Sequence, residues 1–132
     1  MFAVITADLL NSTKYSAELL TEVLDIINAE IEGIEMKYKN SKFELYRGDS
    51  IQGVLEPVFS FRSALRIKTA VNKLRSQEAI HSNSYRIEAD LRISIGIGKI
   101  GFKRDSIMES NGEAFQFSGR TLDEMKKTGR KM

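Results

Sequence analysis

Hydrophobic residues in this chain recur with two periods, which predict strands alternating with helices. The short apolar run from Phe2 to Ala7 is typical of a buried central strand. Ser16 predicts the N-cap of a helix, because apolar residues then recur at helical spacing from Leu20 to Ile34. This helix should end near Tyr38.

Two further strands are expected at 43–46 and 51–55, on either side of the turn-forming segment Arg47-Gly48-Asp49-Ser50. Pro57 suits the first turn of a second helix. The predicted buried stripe of this helix is Phe61, Ala64, Ile67, Val71 and Leu74.

The C-terminal half continues with a strand and a helix. Apolar and small or polar residues alternate from Leu91 to Ile97, which predicts a half-buried strand. A third helix should start near Gly112, with a stripe of Phe115, Gly119, Leu122 and Met125. The order β-α-β-β-α-β-α predicts an α+β fold, namely a ferredoxin-like βαββαβ palm with an additional C-terminal helix. We expect residues 1–132 to form a single domain.

The composition excludes several classes of protein and several kinds of metal site. The chain has 132 residues, 42% of them hydrophobic, so a disordered protein is excluded. It contains no cysteine and one histidine, His81, which excludes disulfide scaffolds, Cys-zinc sites and multi-His metal sites within one chain. No membrane-length apolar run and no signal peptide is present, so we expect a cytoplasmic protein without a membrane partner.

Basic residues are concentrated at the C-terminus, in a chain whose net charge is +2. They are Lys126, Lys127, Arg130 and Lys131. Cations stabilise the C-terminal end of a helix, so a solvated helix end is the favoured interpretation. A nucleic-acid patch is disfavoured because no aromatic residues are interspersed among these charges.

The predicted topology brings two distant carboxylates to one edge of the sheet. Strands one and three of a ferredoxin-like sheet are adjacent and antiparallel, so Asp8 at the end of one should lie beside Asp49 at the start of the other. Like charges this close need a cation or a proton. Oxygen ligands without His or Cys favour Mg²⁺ or Mn²⁺. The alternative is structural, with Asp49 serving a turn and Asp8 capping a loop.

Two short motifs involve phosphate-binding chemistry. The segment from Gly96 to Gly101 matches G-x-G-x-x-G, but no helix follows at once, so we attribute the glycines to close backbone approach. Asn11, Ser12 and Thr13 form a polar turn before a helix, whose hydroxyl and N–H groups could hold phosphate.

Four blocks, in order, resemble the class III nucleotidyl cyclases. Ile5 to Thr13 is similar to the first metal-binding strand and its phosphate turn, and Tyr46 to Ser50 is similar to the metal-binding hairpin. Leu91 to Gly98 is similar to the Leu-Arg-x-Gly-Ile-x-x-Gly strand, and Gly112 to Arg120 is similar to the Gly-x-x-Val-Asn-x-Ala-Ala-Arg helix. The bacterial SatD-like family is a closer resemblance through its Ile-x-Gly-Asp-Ile-x-Asn-Ser start and its Gly-Asp-x-Phe-Gln-Gly hairpin.

The resemblance assigns roles to individual positions. It implies that Asp8 and Asp49 hold Mg²⁺ or Mn²⁺ with help from the carbonyl of Leu9, and that Asn11, Ser12 and Thr13 face the triphosphate. Arg120 would stabilise the charge that develops during phosphoryl transfer. Class III cyclases complete their site across a head-to-tail dimer, so the resemblance also implies a homodimer.

Three positions differ from the cyclase pattern. Gln116 stands where cyclases have the Asn that positions the ribose, and Leu45 replaces the Lys that reads adenine. Glu109 falls at the position of the purine-reading acid and can still accept a hydrogen bond. The phosphate site is therefore retained better than the base site, and efficient cyclase activity is not expected.

The sequence and the resemblance together lead to two hypotheses about function, which belong to different classes. The first is a metal-dependent nucleotide-binding domain derived from a cyclase, weakly active or inactive. The second is a non-catalytic regulatory domain of a SatD-like transcription regulator, in which the resemblance implies further chain after this domain and nucleic-acid binding only through that segment. An RNA-binding ferredoxin-like domain ranks last, because the central strands lack a pair of exposed aromatics.

Overall fold

The computed structural model describes residues 1–74, 89–100 and 112–132. Its elements are β1 (Phe2–Leu9), α1 (Ala17–Lys37), β2 (Lys42–Tyr46), β3 (Ser50–Leu55), α2 (Pro57–Asn72), β4 (Leu91–Gly98) and α3 (Glu113–Thr128). This is the predicted βαββαβ order with a C-terminal helix, so the predicted α+β fold class is confirmed. Glu109, the predicted purine-reading residue, lies outside the described residues, as does His81.

The sheet has β1 near its centre. Its four strands are ordered β2-β3-β1-β4, and each neighbouring pair is antiparallel. The register pairs Asp8 with Ser50 of β3 on one side and with Arg92 of β4 on the other. The end of β1 therefore lies beside the start of β3, as the topology predicts.

The two faces of the sheet are covered by different helices. Alternate residues of β1, from Ala3 to Leu9, join the main core with the buried faces of α1 and α2. Val4 belongs to a second cluster with Val54 and Ala114, where α3 covers the opposite face. No helix in the described ranges is long and apolar enough to cross a membrane.

The predicted stripes of α2 and α3 need correction. Phe61 is 61% exposed, and α2 instead buries Ser60, Ser63, Ala64, Ile67 and Val71. In α3 the buried residues are Ala114, Ser118, Leu122 and Met125, while Phe115 and Gly119 are only partly buried. Both helices approach the sheet through small residues, which a pattern based on large apolar residues does not detect.

The glycines of β4 allow this close approach, as the sequence interpretation proposed. A Cβ atom on Gly96 would lie closer than 3.0 Å to the carbonyl oxygen of Ala114 and the amide nitrogen of Ser118. A Cβ on Gly98 would lie 2.8 Å from the Cβ of Glu113. Since two of these neighbours are helix backbone, α3 can contact β4 at this depth only if Gly96 has no side chain.

We predict that Gly96→Ala destabilises the protein by about 1–3 kcal/mol, because α3 must move away from the sheet. Gly119→Ala is the control, since its Cβ would meet nothing within 4 Å. This helix-interior change should leave stability unchanged or raise it by up to about 1 kcal/mol. Urea unfolding measures both, and equal effects of the two variants would contradict the proposed packing of α3.

Candidate functional site at the end of the central strand

Asp8 is a nearly buried carboxylate flanked by two cations. Its side chain is 18% exposed, and its Oδ2 lies 3.6 Å from Nη1 of Arg92 and 3.5 Å from Nζ of Lys126. Its Oδ1 is buried and has no hydrogen-bond partner among the described residues. Ion pairs of this length, with no hydrogen bond, leave the carboxylate incompletely satisfied.

The two cations reach Asp8 from different elements. Arg92 lies directly opposite Asp8 in the β1–β4 register. Lys126 lies about two helical turns beyond Ser118, the residue that fixes α3 on the sheet. The hydroxyl of Ser118 bonds to that of Thr6, and the hydroxyl of Ser94 donates to the Ser118 carbonyl over 2.6 Å. This buried network aligns α3 with the end of β1.

Sequence reasoning missed both cations. A signal for Arg92 was present, because an antiparallel β4 beside β1 places residue 92 near residue 8. Lys126 and Lys131 are exposed, as expected for a solvated helix end, but both also form ion pairs that the sequence interpretation does not include. Lys126 contacts Asp8, and the Nζ of Lys131 lies 3.3 Å from Oδ2 of Asp90.

Asp49 lines an open cleft on the α1 side of the same edge. It follows Arg47 and Gly48, whose φ angles of 56° and 73° form the turn between β2 and β3. Its carbonyl accepts a hydrogen bond from the amide of Leu9 over 2.9 Å. The cleft measures about 270 Å³ and is lined by Ser12, Thr13, Leu20, Arg47, Gly48 and Asp49. The structure thus brings three predicted site residues, Ser12, Thr13 and Asp49, into one cleft.

The turn that carries Ser12 and Thr13 is held at both ends by Asp90. The amide of Leu10 donates to the Asp90 carbonyl over 2.9 Å. The Tyr15 hydroxyl donates to the Leu10 carbonyl over 2.7 Å and accepts from the Asp90 amide over 3.2 Å. Asn11, with φ of 55°, begins the turn, and Ser12–Lys14 form a 3₁₀ turn. These bonds fix the backbone of the turn without using the side chains of Asn11, Ser12 or Thr13.

The carboxylate of Asp90 is itself held by strong donors. It accepts hydrogen bonds of 2.8 Å from Nζ of Lys68 and from the amide of Leu91. Burial opposes its ionisation, but the hydrogen bonds and the charge of Lys68 outweigh that effect and lower the pKa of Asp90. Burial raises the pKa of Tyr15, so its hydroxyl stays protonated and can donate at neutral pH.

The other predicted residues do not line the cleft. Gln116 and Arg120 are exposed on α3 and line no part of the cleft. The side chain of Leu9 is buried in the main core, and the role of its carbonyl stays a prediction. Leu45 packs partly buried against that core. Within residues 1–74, 89–100 and 112–132, no group of three or more His, Cys, Asp or Glu residues forms a metal centre.

The residues at the edge nevertheless suit a hard divalent cation. Asp8 and Asp49 end adjacent strands and provide carboxylate oxygens, which Mg²⁺ and Mn²⁺ prefer. Oδ1 of Asp8 still lacks a partner among the described residues. A buried carboxylate oxygen without a hydrogen bond is destabilising, so a cation at this atom would relieve that cost.

Solved structures similar to this chain are nucleotidyl cyclase domains and related domains. An adenylate/guanylate cyclase/hydrolase from Silicibacter pomeroyi is 18% identical, with a TM-score of 0.65 over 92% of this chain and 68% of that one. The guanylate cyclase domain of RhGC from Catenaria anguillulae, solved with GTP, is 17% identical, with a TM-score of 0.60 over 92% and 71%. The chain has the nucleotidyl cyclase fold.

A GGDEF domain is also among the similar solved structures. The GGDEF domain of DgcB from Caulobacter crescentus, solved with c-di-GMP, is 11% identical, with a TM-score of 0.64 over 98% of this chain and 74% of that one. No protein-family model and no curated protein matches the sequence. At these identities the likeness concerns the fold, and function has to be argued from the site.

We predict that Asp90→Asn lowers stability at neutral pH by about 1–3 kcal/mol, because it weakens charge-assisted hydrogen bonds. A lowered pKa contributes stability above the ordinary value of 3.8, and this contribution is lost as pH falls through the lowered pKa. The difference between wild type and variant should therefore shrink at acidic pH. Urea unfolding of wild type and Asp90→Asn at neutral and at acidic pH tests this.

Asp25→Asn, on the exposed side of α1, is the control. A stability difference between wild type and Asp90→Asn that is independent of pH would contradict the prediction.

Proposed function

We propose that this chain binds a nucleoside triphosphate together with Mg²⁺ or Mn²⁺ at the end of β1. Asp8, Asp49 and the carbonyl of Leu9 would hold the metal, and Asn11, Ser12 and Thr13 would face the phosphates. The observation that carries the proposal is the incompletely satisfied carboxylate of Asp8, on a strand of a cyclase fold that ends beside the start of β3. Asp49, the residue before β3, lines the cleft.

The cleft suits an anionic ligand for three reasons. The hydroxyls of Ser12 and Thr13 are hydrogen-bond donors, and Arg47 adds a positive charge to the lining. The turn is anchored through Asp90, so its donors are ordered before the ligand arrives. When bound, the metal would neutralise phosphate charge and bring the triphosphate to the two carboxylates.

Arg120 and Gln116 would act on a nucleotide held by another copy of the chain. Both are exposed on α3, away from the cleft of their own chain. This arrangement favours a homodimer in which each chain supplies these residues to its partner. Glu109 would read the base in the same proposal, although it lies outside the described residues.

Weak or absent turnover is the expected activity. Leu45 packs against the core, so its position offers no polar group to a base. Gln116 carries one more methylene than Asn and moves the amide. The alternative proposal is a non-catalytic regulatory domain of a SatD-like regulator, favoured by the observation that Arg92 and Lys126 already neutralise Asp8.

We predict that a nucleoside triphosphate with Mg²⁺ or Mn²⁺ raises the melting temperature by about 3–8 °C at roughly ten times its Kd, which corresponds to about 1.4 kcal/mol. Asp8→Asn and Asp49→Asn should each abolish this shift, because each removes a metal ligand. Thermal-shift assays with and without metal measure it.

Asp123→Asn, on the exposed side of α3, is the matched control and should retain the full shift. If no metal–nucleotide pair shifts the wild type at millimolar concentration, and both site variants lower its stability, the carboxylates are structural. The regulatory proposal would then be preferred.

We also predict that ATP is not converted to a cyclic nucleotide at ordinary enzymatic rates, near 1 per second or above. The reason is the altered base site at Leu45 and Gln116. Chromatography of the nucleotides after incubation with Mn²⁺ measures the product. Cyclic product at such a rate, abolished by Arg120→Ala, would overturn the prediction and show that this site catalyses phosphoryl transfer.

A further inference from the structure

The negative charges around Asp8 are already matched without a metal ion. Asp8 and Asp49 contribute two negative charges at this edge, while Arg92 and Lys126, which contact Asp8, and Arg47, which lines the cleft with Asp49, contribute three positive charges. A divalent cation approaching alone therefore meets an edge that carries no excess of negative charge. It would also have to bind a carboxylate whose other oxygen, Oδ2, faces two cations.

The two cations differ in their freedom to leave. The side chain of Arg92 is 16% exposed and lies on a strand paired with β1. The side chain of Lys126 is 48% exposed and lies in the last turns of α3. The ammonium group of a lysine sits on a flexible stem and hydrates easily, so it can move into solvent at little cost. Lys126 is therefore the cation that a metal ion could displace from Asp8.

We propose that Lys126 is an internal counter-ion that competes with the metal for Asp8, so that the metal binds well only together with the triphosphate. This inference rests on the proposed function. The polyphosphate brings the negative charge that the edge lacks, and the displaced ammonium group of Lys126 can then turn towards it. Metal and nucleotide would thus bind cooperatively.

The inference predicts opposite effects of one substitution on two ligands. Lys126→Gln should tighten the binding of Mn²⁺ alone by about threefold or more, because a competing charge is removed. It should not tighten the binding of the metal–triphosphate complex, and should weaken it if Lys126 contacts phosphate. Loss of a purely structural contact would weaken both. Electron paramagnetic resonance of free Mn²⁺ at low ionic strength measures the first affinity, and calorimetry measures the second.

Two matched variants control the experiment. Lys127→Gln removes the same charge one residue away and makes no ion pair within the described ranges, so Mn²⁺ affinity should be unchanged. Lys126→Arg keeps the charge and should behave as wild type. Equal tightening in Lys126→Gln and Lys127→Gln would indicate a general charge effect and overturn the inference, as would an unchanged or weaker affinity in Lys126→Gln.

Asp8→Asn separates failure of this inference from failure of the proposed function. If Asp8→Asn weakens Mn²⁺ binding but Lys126→Gln leaves it unchanged, the metal site stands and the counter-ion inference fails. If wild type, Asp8→Asn and Lys126→Gln all bind Mn²⁺ equally, and all bind the metal–triphosphate complex equally or not at all, the metal is not held at Asp8. The proposed function and the inference would then fail together.

Discussion

The need to neutralise Asp8 determines the electrostatics of this end of the sheet. Its side chain is only 18% exposed, so the carboxylate is poorly hydrated. A charge in that position requires a nearby opposite charge. The protein provides two, Arg92 from β4 and Lys126 from α3, yet neither completes the hydrogen bonding of the carboxylate. The negative charge of Asp8 is therefore neutralised while its hydrogen bonding is incomplete, a state that favours exchange of one cation for another.

The surroundings of this site are more rigid than the site itself. Gly96 lets α3 contact the sheet closely, and the hydroxyls of Thr6, Ser94 and Ser118 bond across that interface. On the other side, Asp90 fixes the polar turn through its backbone while Lys68 holds its carboxylate. An ordered turn beside an adjustable ion pair suits a ligand whose phosphates bind preformed donors and whose metal replaces a side-chain cation.

The likeness to nucleotidyl cyclases and to a GGDEF domain establishes the fold, and a fold by itself does not determine function. Function must therefore be judged from individual residues. Asp49, Ser12 and Thr13 share a cleft, which supports binding of a phosphorylated ligand. Leu45 packs against the core, where it cannot read a base. These two features together favour a nucleotide-binding domain with little or no cyclase activity.

The sequence alone determined the order of the elements and the adjacency of the end of β1, which carries Asp8, to the start of β3, which follows Asp49. Both follow from properties local to the chain, because side-chain periodicity identifies strands and helices, and strand order then sets which ends are adjacent. Only the tertiary structure decided that Lys126 contacts Asp8 and that Phe61 is exposed. Those outcomes depend on which face of each helix packs on the sheet. Small residues such as Ser60 and Ser118 set that face, and they carry almost no hydrophobic signal in the sequence.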